Sequence, residues 1–113
     1  MKILVDADSC PAIVRETICR AAQRCGVKAV FAANREIPGL SGKDVFMELC
    51  PQGEGEADKR LVLLAEKNDL AVTRDVPLAS LLVEKGVFVL DDHGRIFTSE
   101  NIRAYLSIRD FQV

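Results

Sequence analysis

Acidic residues supply the chemistry that this sequence offers most readily. Asp6 and Asp8 follow the apolar run Ile3-Leu4-Val5, and Asp75 follows Leu70-Ala71-Val72-Thr73. Glu54, Glu56 and Asp58 open a segment of helical periodicity. Carboxylates gathered at one place repel one another, and the pKa of some of them rises. A cation removes that conflict. Mg2+ or Mn2+ suits the task, because hard cations take oxygen ligands and keep water in their coordination shell. An ion held this way activates a water and stabilises the charge on a phosphate during hydrolysis. On this reading Asp6 and Asp75 are the leading metal ligands, Asp58 is the third, and Asp8 joins the catalytic set behind them or through a bridging water. Each acid also has a structural alternative. Asp8 and Asp75 suit helix caps, and Glu54, Glu56 and Asp58 suit a helix dipole. Asp6 is the hardest to explain structurally, since it ends a buried strand and needs a partner there.

Around these acids, Thr73 is placed to hydrogen-bond an aspartate or a substrate phosphate. Arg74, beside Asp75, and Arg109 are candidate phosphate contacts. Other chemistries are poorly represented. His93 is the one histidine, read as an exposed turn residue, and it cannot build a histidine-based triad. No G-x-S-x-G elbow, G-x-G-x-x-G turn or Walker loop is present. The four cysteines, Cys10, Cys19, Cys25 and Cys50, form no C-x-x-C pair, which argues against zinc. They are expected as free thiols, with Cys19 and Cys25 packed as small hydrophobes and Cys10 beside the acids. The formal net charge of −2 is not the footprint of a protein that holds nucleic acid by charge alone.

The elements that must position the acids alternate between strand and helix. Strands are expected at Lys2–Val5, Val27–Ala33, Val45–Leu49, Leu70–Thr73 and Val87–Leu90. Helices are expected from Pro11 to Gly26, with Ser9 or Cys10 at the cap, from about Glu54 to Lys67, and from Pro77 to Gly86. A last helix is expected through Asn101, Ile102 and Leu106, capped by Thr98 or Ser99. Asn34–Lys43 reads as a loop and Asp92-His93-Gly94 as a turn. Helical crossovers favour parallel pairing. The fold class is therefore α/β: a three-layer α/β/α sandwich on a mostly parallel sheet of four or five strands, one domain over residues 1–113. Ligands of such sheets bind outside the carboxyl ends of the strands, which is where Asp6, Asp8 and Asp75 fall. No apolar run is long enough for a membrane helix and the first residues make no signal-peptide core, so a cytoplasmic protein is expected.

The strings VDADSCP at 5–11, AAN at 32–34, EAD at 56–58, TRDVPLA at 73–79 and GRIFTSENIRAYLSIRDF at 94–111 resemble the YaiI/YqxD family of bacterial proteins. That family is similar to the PIN-like nucleases, which bind Mg2+ or Mn2+ through scattered acids and cut RNA. The resemblance implies a PIN-like fold and places Asp6 after the first strand, Asp58 on a central helix, and Thr73 with Asp75 after a later strand. Asn34 matches a recurring asparagine and joins the candidate substrate-binding residues. Two departures stand out. The family often carries an acid where this chain has Gly55, and its members usually run on well past the RDF string.

The function expected is metal-dependent hydrolysis of phosphodiester bonds in RNA or DNA. The alternatives are a metal- or partner-binding module without turnover and a small-molecule phosphohydrolase. A homodimer is compatible with a domain of this size.

Overall fold

A computed structural model describes residues 1–111. Six strands form one sheet in the order β3-β2-β1-β4-β5-β6. They are β1 (Lys2–Asp6), β2 (Lys28–Ala33), β3 (Val45–Leu49), β4 (Leu70–Val72), β5 (Phe88–Leu90) and β6 (Ile96–Phe97). The helices are α1 (Ala12–Cys25), α2 (Glu56–Leu64), α3 (Val76–Glu84) and α4 (Ile102–Phe111). Every neighbouring pair is parallel except β5–β6. The architecture is thus a three-layer α/β/α sandwich with a mixed, mostly parallel sheet. The sixth strand corrects the expectation of four or five. β6 has two residues, too short for any periodic signal, and the turn at 92–94 folds it back onto β5.

Strand alternation sends successive side chains to opposite faces. Ile3 and Val5 meet Phe31, Ala33 and Val72 under α1, with Ile18, Cys19 and Ala22. Leu4 and Ala71 meet Leu61, Leu78, Leu82 and Val89 under α2 and α3, with Ile102 of α4. β2 and β3 pair in parallel without a helix between them. The connecting loop carries the crossover, and its Ile37 is buried in the α1 layer. At the far end of that layer Phe88 and Ile96 remain exposed.

The helix limits differ from expectation in instructive ways. α1 starts after Pro11, whose carbonyl accepts from Val14 and Arg15. Neither Ser9 nor Cys10 caps it, because Ser9 is drawn to Asp6 instead. Gly26 ends it in the left-handed conformation, φ 66°, as a C-terminal glycine does. α2 is shorter than expected at both ends. Gly55 precedes it at φ 78° and Ala65 leaves it extended. Thr98 and Asn101 cap the approach to α4 reciprocally, each backbone N–H reaching the other's side chain. Cys25, expected to pack, is exposed, while Cys10, Cys19 and Cys50 are buried and all four are free.

Asp69 fixes the start of the central pair of strands. It is 3% exposed. Its Oδ1 accepts from the Lys2 backbone N–H at 3.0 Å, and its Oδ2 accepts from Lys2 Nζ at 2.7 Å and from the Glu66 N–H at 2.9 Å. Burial opposes its ionisation, yet the Lys2 and Glu66 donors outweigh that and hold the carboxyl below its usual range. Removing one partner of a buried ion pair strands the other, at about 3 kcal/mol. Asp69→Ala is accordingly expected to lower the unfolding free energy by roughly that amount in urea denaturation. A change of less than about 0.5 kcal/mol, the size of an ordinary surface substitution, would show that the clamp is not structural.

Candidate active site at the carboxyl edge of the sheet

Asp6 is the last residue of β1 and shares the face of Leu4, so its carboxylate meets the layer of α2 and α3. β1 and β4 are paired with Val5 opposite Val72, which sets Thr73 next to Asp6. Thr73 Oγ1 donates to Asp6 Oδ2 at 2.8 Å and accepts from the Asp75 N–H at 3.0 Å. Ser9 Oγ donates to the same Asp6 oxygen at 3.0 Å. One buried hydroxyl thus links two of the candidate acids. Asp75 is the N-cap of α3, its Oδ1 accepting from the Leu78 N–H at 3.0 Å. This capping role, foreseen as an alternative, coexists with its place beside Asp58 and Asp6.

Asp58 lies in the first turn of α2. Its carboxyl is pushed up to about 6, first by burial, then by the charges of Asp75 and Asp6, and by the hydrogen bond its protonated form makes with Asp75. Burial also raises Asp6; the Thr73 and Ser9 hydroxyls oppose that rise, and the charges of Asp75 and Asp8 reinforce it. Asp6, Asp58 and Asp75 therefore feel one another electrostatically. Their arrangement stops short of a finished cage: among the described residues, no three His, Cys, Asp or Glu side chains converge as a metal-binding group.

The other candidates fall around this trio. Asp8 does not continue the strand, because the chain turns through a short 3-10 segment at Ala7–Ser9. Its carboxylate faces the end of β2 instead, accepting from the Asn34 N–H at 3.3 Å and pairing with Arg35 at 3.3 Å. Asn34 sits at that end of β2, and its carbonyl accepts from Gln52. Thr73 is buried and already bonded to Asp6. Arg74 is exposed and pairs with Asp92 at 2.6 Å. The side chain of Arg109 lies outside the described residues. Glu54 is exposed in the turn before α2, and Glu56 pairs with Lys59 at 3.4 Å. Neither is among the charges that raise Asp58 or Asp6. Gly55, where an acid was looked for, holds a φ of 78° that disfavours side chains other than glycine. Burial lifts the Cys10 thiol to about 11, which disfavours a thiolate at neutral pH.

Sequence reasoning missed the acids after β5. Asp91 is buried; burial opposes its ionisation, but donors from Arg95 and His93 hold its carboxyl below the usual range. Asp92 is kept low chiefly by the hydrogen bond from Arg74. Both looked like ordinary turn residues. The available signal was their place directly after a strand, the same signal that singled out Asp6. His93 is an exposed turn residue, as read. No helix among the described residues is long and apolar enough to cross a membrane.

An α/β sandwich with an acidic carboxyl edge is the class that fold and site define. The chain belongs to the uncharacterised YaiI/YqxD family, whose model matches residues 4–113. A UPF0178 protein of Treponema denticola is 48% identical over 111 residues, covering 98% of this chain and 70% of the relative. A UPF0178 protein of Vibrio vulnificus is 44% identical over 111 residues, covering 98% of this chain and 74% of that relative. No solved structure matches the chain.

The raised carboxyl of Asp58 has a consequence for stability. A native pKa above the unfolded value means that the folded chain binds the proton more tightly. The stability it contributes is complete below about pH 4 and is lost as pH rises through about 6. In chelator, Asp58→Asn should remove this loss, so the variant gains on wild type in thermal melts between those two values. An unchanged difference across that window would contradict the shared proton.

Proposed function

We propose that the chain is a metal-dependent phosphodiesterase acting on RNA or DNA, with kinship to the PIN-like nucleases. The observation that carries this reading is the gathering of three acids at the carboxyl edge of the sheet. Thr73 bonds both Asp6 and the Asp75 backbone, and Asp58 in the first turn of α2 meets Asp75, with its carboxyl raised by burial and by these neighbours. Such an arrangement costs stability and suits a cation that replaces the shared proton. The donor set is entirely carboxylate oxygen, which fits Mg2+ or Mn2+. Mg2+ is commonly held by only one or two carboxylates, its remaining positions going to water and substrate phosphate. A loose acidic trio is compatible with that habit. Asp58 and Asp75 would hold the ion directly, and Asp6 would complete the set with Oδ1, the oxygen that takes no bond from Thr73 or Ser9. When bound, the ion supplies an activated water and stabilises charge on the phosphate.

The chain's own residues do the rest. Thr73 keeps Asp6 oriented. The α3 N-terminus keeps Asp75 in place, so its free oxygen points consistently. Asp8, held by Asn34 and Arg35, adds negative field without joining the ligands. The expected likeness to PIN-like nucleases, with acids after the first strand, on a central helix and after a later strand, is compatible with this reading.

A binding module without turnover is the second reading. The net charge of −2 and the unfinished cage among the described residues favour it.

Two measurements separate them. Mn2+ at about a hundred times its dissociation constant should add roughly 2.7 kcal/mol to stability. Asp58→Asn and Asp75→Asn should lose that gain. Asparagine caps a helix about as well as aspartate, so the second variant removes charge while keeping α3 capped. Cleavage of single-stranded RNA should require Mn2+ and disappear in Asp6→Asn. Metal-dependent stabilisation with no cleavage would favour the binding module. Cleavage that persists in Asp6→Asn would come from a contaminant and remove support for the enzyme.

A further inference from the structure

A second constellation stands at the same edge of the sheet. A cavity of about 240 Å3 is lined by Arg74, Asp92, His93, Arg95, Phe97 and Tyr105. Its walls come from the loop after β4, the turn after β5, and α4. Arg74 stands between Thr73 and Asp75 in the chain. Val76, which follows Asp75 at the start of α3, also lines the cavity, so the cavity adjoins Asp75 of the acidic trio.

The charges of this cavity are layered. Arg74 Nη2 donates to Asp92 Oδ2 at 2.6 Å, and Arg95 Nε donates to Asp91 Oδ2 at 2.7 Å. The two carboxylate side chains are 4% exposed, whereas the arginines are 51% and 62% exposed. The acids lie beneath and the guanidiniums above. The backbone N–H groups of His93 and Arg95 hold Asp91 at 2.9 Å each, so the lower layer is fixed. Each arginine spends one nitrogen on its carboxylate. A guanidinium carries five N–H donors in a planar fork, and the remaining ones suit the oxygens of a phosphate. Asp92 Oδ1 is buried without a partner among the described residues, so Asp92 holds Arg74 by a single bond rather than a two-pronged one. Arg74 can therefore re-aim without leaving its counter-ion. The exposed ring of His93 adds a third group.

We propose that this cavity is a phosphate-binding subsite that holds a phosphate group of the substrate next to the acidic trio. The proposal rests on the phosphodiesterase reading for its substrate, and on Arg74, Arg95 and His93 for its chemistry. In a chain of net charge −2, the cavity presents two exposed guanidiniums over two buried carboxylates, so a phosphate meets the cations first. The phosphate is either a diester within a nucleic acid or a monoester on a small molecule.

The test is fluorescence anisotropy of a short labelled single-stranded RNA in EDTA at low salt. Wild type should bind. The Arg74→Gln/Arg95→Gln double variant should bind about tenfold more weakly, as expected for loss of a charge-assisted contact. Arg24→Gln, at the opposite end of the sheet, should bind as wild type. Displacement by inorganic phosphate and adenosine monophosphate would identify a monoester ligand. Displacement by unlabelled RNA alone would identify the diester. Because Arg95 satisfies buried Asp91, a second measurement avoids mutation: inorganic phosphate added to 15N-labelled wild type should shift the amides of His93, Gly94 and Arg95. A folded double variant that binds normally, or phosphate that leaves those amides unmoved, would overturn the proposal. Stabilisation by Mn2+ is read separately on the same proteins. Its absence alongside intact phosphate shifts would defeat the metal reading and leave this subsite standing.

Discussion

The register between β1 and β4 is the constraint on which the rest depends. Lys2 meets Asp69, Ile3 meets Leu70, and Asp6 meets Thr73, all at one sequence offset. Polar bonds close both ends of this pairing, and apolar residues fill the middle. A slip of one residue would exchange the two faces of the strand. Leu4 would leave the layer of α2 and α3, and Asp6 would turn away from Asp58 and Asp75. The clamp at Asp69 therefore stabilises the fold and also sets where the acids of the opposite edge point.

At that opposite edge the protein tolerates an unfavourable arrangement. Asp6 is buried and held by two hydroxyls, which lower the cost without removing it. Asp58 meets Asp75, and its proton is retained well above the usual carboxylate range. Among buried acids, the contrast with Asp69 and Asp91 is informative. Those two are surrounded by donors and lie below their ordinary values. The chain thus builds satisfied carboxylates where it needs structure, and leaves the Asp6, Asp58 and Asp75 group short of positive charge. That difference is the basis on which we propose the trio as a place for a cation.

Much of this was legible in the sequence, for identifiable reasons. The strands carrying Asp6 and Asp75 are apolar runs bounded by polar residues, and the position of an acid after a parallel strand is fixed by topology. Asp58 was legible because α2 has clear helical periodicity through Ala57, Leu61 and Leu64. The direction of Asp8 was not legible, because the 3-10 turn at Ala7–Ser9 has no apolar pattern to announce it and turns this carboxylate toward the end of β2. β6 is too short to show alternation. The segment Asn34–Lys43 was read as a loop, but its use as a parallel crossover from β2 to β3 departs from the usual helical connection and was not legible. The acids Asp69, Asp91 and Asp92 resemble any turn residues until their partners are known; those of Asp69 and Asp92 lie 67 and 18 positions away, and that of Asp91 only 4.

The most direct test is a 13C NMR titration of the Asp58 carboxyl, with and without Mg2+. Without Mg2+ it should titrate near 6. With saturating Mg2+ its ionised form should persist to lower pH, because the ion takes the place of the proton. A carboxyl that titrates at its ordinary value and ignores Mg2+ would contradict the claim that these acids await a cation.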